Sequence, residues 1–79
     1  MKAYTDGQMV YKVGSLGANC WKHIEIHKIE NWQEPGHVFW TMTSGQLYKV
    51  FGGASWISDE EAEKALMKVA EKMDWKEVA

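Results

Sequence analysis

The chain contains no arginine. All nine of its basic residues are lysine, set against eleven acidic residues, for a formal net charge of −2 over 79 residues. Arginine makes most bidentate contacts to phosphate and guanine, and nucleic-acid binders are usually basic overall or on one face. Duplex nucleic acid is therefore not an expected partner. The single cysteine, Cys20, excludes an internal disulfide and a multi-cysteine zinc site. No apolar run approaches the roughly 20 residues that span a bilayer. Met1-Lys2-Ala3-Tyr4-Thr5-Asp6-Gly7 has no apolar signal-peptide core, so the expected location is cytoplasmic and no membrane partner is expected. Phosphate loop, glycine elbow and paired-carboxylate patterns are all missing, so neither an enzyme nor a cofactor is expected. The one proline, in Glu34-Pro35-Gly36, marks a turn.

Aromatics are plentiful: five Trp, three Tyr and two Phe. Trp and Tyr are enriched in interfaces as well as cores. The length sets one domain, residues 1–79, and a core of this size supplies about 3–5 kcal/mol unless something staples it. Trp-rich packing or self-association would add to that.

Glycines and polar turns split the first two thirds into runs of strand length, at about 8–13, 20–29, 37–43 and 46–51. Ser44-Gly45 has the length of a two-residue hairpin. Ser58-Asp59-Glu60-Glu61 reads as a capping box, and Ala62, Leu66, Val69 and Met73 follow at helical spacing. A helix is expected at about 59–75. The expected fold class is α+β: a four-stranded antiparallel meander with one C-terminal helix packed on one face.

Pairing Val13 with Cys20, Met9 with Ile24, Ile26 with Trp40 and Met42 with Leu47 gives the sheet two faces. One collects Met9, Tyr11, Val13, Cys20, Ile24, Ile26, Val38, Trp40, Met42, Leu47 and Phe51, with Lys22, Lys28 and Lys49 at its margins. The other collects Val10, Lys12, Trp21, His23, Glu25, His27, Ile29, Phe39, Thr41, Tyr48 and Val50. A single helix covers only one face, so the second is expected to be open and available for contact.

His23-Ile24-Glu25-Ile26-His27 places two imidazoles and a carboxylate on one face of a strand, and both are metal-ligand types. Neighbours in that row are about 6.6 Å apart and the two histidines about twice that, which is wide for one ion. The expected reading is a polar row, with no metal. Cys20 falls on the core face, away from the histidines, and reads as structural. Lys64, Lys68, Lys72 and Lys76 recur every four residues, with Glu60 four before Lys64, and read as a solvated, ion-paired face. Trp40 is expected in the core, with Trp56 and Trp75 over its ends. Trp32, in a loop, is either a lid or a contact residue.

The second half resembles the layout of a double-stranded-RNA-binding domain over about half the chain. Pro35-Gly36-His37 with Phe39 is similar to that family's first-strand signature, and a strand, a glycine pair and a Ser-initiated helix follow. In that family the last helix opens with a basic cluster on phosphate. Here Ser58-Asp59-Glu60-Glu61-Ala62-Glu63-Lys64 places carboxylates there, and residues 8–29 read as strands where the family has its first helix. The resemblance implies a shared ββα layout rather than RNA binding.

The expected function is a small non-catalytic protein-binding module. It would act through Trp21, His23, Glu25, His27, Ile29, Trp32, Phe39, Tyr48 and Val50, on a protein partner or on a second copy as a homodimer. The more specific form of this expectation is a phage or mobile-element inhibitor of a host system. Two alternatives use the same face: a single-stranded nucleic-acid binder stacking bases on Trp21, Phe39 and Tyr48, and a small-ligand or metal-binding protein using His23, Glu25 and His27.

Overall fold

Asp6-Gly7 nucleates the first hairpin. Asp6 Oδ1 accepts hydrogen bonds from the backbone N–H of Gln8 and Met9, each at 2.8 Å. Gly7 turns with φ at +100°, a value that side chains other than hydrogen disfavour. This turn joins β1 (Ala3–Thr5) to β2 (Met9–Ser15), and β2 pairs antiparallel with β3 (Lys22–Lys28). A 3-10 turn follows at Ile29–Asn31, then α1 (Ser44–Phe51), α2 (Asp59–Met73) and β4 (Lys76–Glu77). β4 returns to pair with β1, so the antiparallel sheet runs β3-β2-β1-β4. The computed structural model describes residues 2–15, 21–34, 38 and 42–78.

The molecule is an α+β protein with a four-stranded antiparallel sheet, but it has two helices and its strands are not all the expected ones. Residues 46–51 are helical, not extended. The Thr43 hydroxyl accepts from Gln46 N–H at 3.2 Å, and Gln46 Oε1 accepts from Thr43 N–H at 3.0 Å, a reciprocal cap. Gly52 ends the helix in the left-handed region, φ +77°, donating to the Tyr48 carbonyl. Of the expected strand at 37–43, Val38, Met42 and Thr43 lie in no strand, and the other positions are outside the described residues. Ala3–Thr5 and Lys76–Glu77 are the strands that complete the sheet instead. With α1 helical, the ββα layout shared with double-stranded-RNA-binding domains is not present.

The expected faces of β2 and β3 hold, although the pairing differs. Val13 faces Ile24 rather than Cys20, and Met9 faces Lys28 rather than Ile24. Each partner moves by four residues, an even number, so no side chain changes face. Tyr4, Val13 and Ile24 from the sheet form the core with Leu47 and Phe51 of α1 and Ala62, Leu66, Val69 and Ala70 of α2. Ala70 rather than Met73 completes the α2 stripe, and Met73 is exposed. The helix stops at Asp74, which takes a left-handed conformation at φ 58°. Trp75 then turns back onto the core, stacking on Tyr11 with centroids 4.1 Å apart and meeting Phe51 edge-on at 6.4 Å. Trp56 packs against the same core, exchanging two backbone hydrogen bonds with Lys22 at 2.8 and 2.9 Å.

Candidate functional site

The expected contact residues do not share one open face. His23, Glu25 and His27 do line up on β3, opposite Gly14, Lys12 and Val10 of β2. That face is not open, however, because Ala3, Val10 and His27 on it are each only 1% exposed. Trp32 is half-buried and folded back. Lys12 Nζ donates to its carbonyl at 2.8 Å and lies 5.9 Å from its ring centroid. Trp21 and Ile29 sit exposed just beyond the two ends of β3. Tyr48 and Val50 leave the sheet altogether and stand exposed on α1. Phe39, Trp40 and Cys20 lie outside the described residues, so the stacking trio of Trp21, Phe39 and Tyr48 is split between a strand end, a helix and an undescribed position.

In the histidine row, Glu25 holds both imidazoles. Its Oε1 accepts from His27 Nε2 at 2.9 Å, and its Oε2 lies 3.5 Å from His23 Nε2. The carboxylate fits because Gly14, diagonal to Glu25 across the strand pair, has no side chain: a Cβ there would overlap the Glu25 side chain. Both carboxylate oxygens are thus directed at imidazoles. Among the described residues, no three His, Cys, Asp or Glu side chains are arranged to hold a metal ion. Among the described residues, buried His27 Nδ1 has no hydrogen-bond partner.

A concavity lies on the helices. A groove of about 780 Å³ runs between the C-terminal turn of α1 and the middle of α2, lined by Val50, Phe51, Ala65, Met67 and Val69. Its origin is local. Leu47 and Phe51, four apart, anchor α1 inward, so Tyr48 and Val50 turn outward at 63% and 42% exposure. Lys64, Lys68 and Lys72 line it from α2, with Glu71 as the single carboxylate. The expected ion-paired face is not formed there: among the described residues these three lysines make no ion pair. Lys2, Lys22 and Lys76 do pair, with Glu77, Asp59 and Asp74. Among the described residues, Val50 is the one expected contact residue that lines this surface, and Tyr48 stands exposed elsewhere on α1. The capping pattern Thr43-x-x-Gln46, with Leu47, Phe51 and Gly52, is the sequence signal that could have located it.

Asp6 and Tyr11 form a second polar unit at the far end of the sheet. The Tyr11 hydroxyl donates to Asp6 Oδ2 at 2.8 Å. Burial, then that hydrogen bond and the charge of Asp6, push the Tyr11 phenol up to about 12. For Asp6, partial burial acts upward, but bonds from the Met9 and Gln8 amides and the Tyr11 hydroxyl outweigh it and leave the carboxyl below its ordinary value. The ring stack on Trp75 makes this a structural pair.

Among the described residues no helix is long and apolar enough to cross a membrane. The chain matches no protein-family model, and searches of curated proteins and of solved structures returned no match.

Proposed function

We propose that this protein is a non-catalytic binding module that holds a protein partner on its helical side, across α1 and α2. The observation that carries this reading is the groove itself: a concavity of about 780 Å³ with apolar walls, with Val50 exposed on its wall and Tyr48 exposed elsewhere on α1. Pockets of several hundred Å³ lined by apolar side chains are the usual form of a binding site, and exposed Tyr is a common anchor residue. The buried second face of the sheet argues against the alternative sites, since base stacking or ligand capture there needs Val10 and His27 to be accessible.

The test combines site-specific photo-crosslinking with titration. A photo-reactive phenylalanine analogue at position 48 identifies a partner from source-cell extract, and the purified partner is then titrated. Val50→Asp is expected to weaken that complex at least tenfold, and Trp21→Ser, at the sheet end, to leave it within about twofold. Loss of binding with Trp21→Ser and not with Val50→Asp places the partner on the sheet and overturns the reading.

A further inference from the structure

We infer that the groove takes an acidic amphipathic segment of its partner, with apolar side chains on Val50, Ala65 and Val69 and carboxylates against Lys64, Lys68 and Lys72. This rests on the protein-binding reading above and specifies the partner's chemistry.

The charge pattern carries the inference. Residues four apart on a helix are about 6 Å apart along its axis, so Lys64 to Lys72 spans about 12 Å, two turns. Like charges at this spacing repel one another. Glu60 and Glu71 stand within helical reach of the row, yet among the described residues none of the three ammonium groups is in an ion pair. Lys2, Lys22 and Lys76, by contrast, are in ion pairs. Three of the five carboxylates of α2, Asp59, Glu60 and Glu61, are in its first turn. The groove wall is thus left with three positive charges and one negative, above an apolar floor. An occupant that buries apolar side chains there and brings carboxylates at helical spacing satisfies both. Contact with the floor supplies most of the affinity, and exposed ion pairs, each weak, select the sign of the partner.

Other occupants fit less well. A nucleic acid would meet few cations and an apolar floor whose aromatic ring, Phe51, is only 6% exposed and so offers little surface for stacking. A bilayer surface is met by apolar groups projecting past the charged ones, whereas these line a depression. In a second copy, a two-fold antiparallel pairing of α2 that sets Glu60 against Lys72 also sets Lys64 against Lys68. A head-to-tail contact between copies leaves an unclosed chain of molecules.

The experiment uses the full chain and three fluorescent synthetic peptides of equal length. One carries Leu at helical spacing flanked by Glu, the second the same Leu flanked by Lys, and the third the Glu pattern with Ser in place of Leu. The wild type is expected to bind the first at least tenfold more tightly than the other two, and less tightly as salt is added. Val50→Asp and the double variant Lys64→Glu/Lys68→Glu are each expected to weaken it at least tenfold. The double variant should also reverse the preference between Glu and Lys peptides. Both variants alter exposed positions, and circular dichroism checks that each is folded. No binding of the Glu peptide, or equal binding of Glu and Lys peptides, overturns the inference. If Val50→Asp still disrupts the complex with the crosslinked partner, the broader reading stands without it. If Val50→Asp affects neither peptide nor partner, both fall. Sedimentation with phosphatidylserine-containing vesicles that the double variant loses, or a concentration-dependent dimer that Val50→Asp abolishes, overturns it in favour of a membrane or a second copy.

Discussion

Gly14 and Glu25 form a coupled pair whose energetics can be measured. Glu25 lies over Gly14 and accepts from the buried His27 imidazole at 2.9 Å. Gly14→Ala is expected to push the carboxylate off and to destabilise the fold by about 1–3 kcal/mol, the cost of an unsatisfied buried group. Glu25→Ala should cost a similar amount for the same reason. With Glu25 already removed, Gly14→Ala should instead be neutral or stabilising by about 0.5–1 kcal/mol, because Ala suits a strand better than Gly. Urea unfolding of the four proteins gives the cycle, and additive effects would show the two positions to be independent. At the other end of the sheet, the Tyr11 phenol is raised to about 12 from an ordinary value of 10.0. Its contribution to stability is complete below pH 10 and is lost as pH rises through 12. Asp6 behaves oppositely: its contribution is present above about 3.8 and is lost as pH falls through its lowered value. Ultraviolet titration should show one of the three tyrosines ionising late, and Asp6→Asn should return it toward its ordinary value. Both residues were visible in the sequence, but their hydrogen bond depends on the Asp6-Gly7 turn bringing β1 back along β2.

At the scale of elements, the two helices show how local signals compete. Ser58 caps α2, accepting from Glu61 N–H at 3.3 Å, and the stripe of Ala62, Leu66 and Val69 is buried as its spacing implies. For α1, two readings compete within one stretch. Ser44-Gly45 suits a hairpin turn, while Thr43-x-x-Gln46 suits a helix cap, and the helix prevails. Leu47 and Phe51 then bury together on one side, with Gly52 available to end the element. Thr43→Ala and Ser58→Ala should each destabilise by about 0.5–2 kcal/mol, as loss of an N-cap does. Gly52→Ala, forced to hold φ at +77°, should cost about 1 kcal/mol or more. Denaturation midpoints check all three. If α1 were extended, Thr43→Ala and Gly52→Ala would leave the midpoint unchanged.

For the molecule as a whole, sign and placement of charge give a further prediction. The net charge is −2, and the one concentrated row of lysines spans only about two helical turns. Too few counterions are released by such a row to hold duplex DNA or RNA. Titration of labelled duplex at about 0.15 M salt, where charges are screened beyond roughly 8 Å, should show no micromolar binding. Salt-sensitive binding at that level or tighter would overturn the argument and would reassign the lysine row.

The sequence by itself determined the α+β class, the two-sided character of β2 and β3, and the helix that Ser58 begins. Each follows from a periodicity or a cap that a few neighbouring residues define. Which residues share a face of a strand is fixed by alternation alone, which is why a four-residue error in pairing left the faces intact. Only the tertiary structure decided what covers each face. Residues 46–51 have an apolar pattern compatible with strand or helix, and the choice moved Tyr48 and Val50 from the sheet to a helix, with Val50 on the wall of a groove. The second face of the sheet is closed rather than open, because burial there depends on how distant segments fold back, as Trp32 does over Lys12. That Lys64, Lys68 and Lys72 line the groove and make no ion pair among the described residues is likewise something that residue spacing along α2 does not specify.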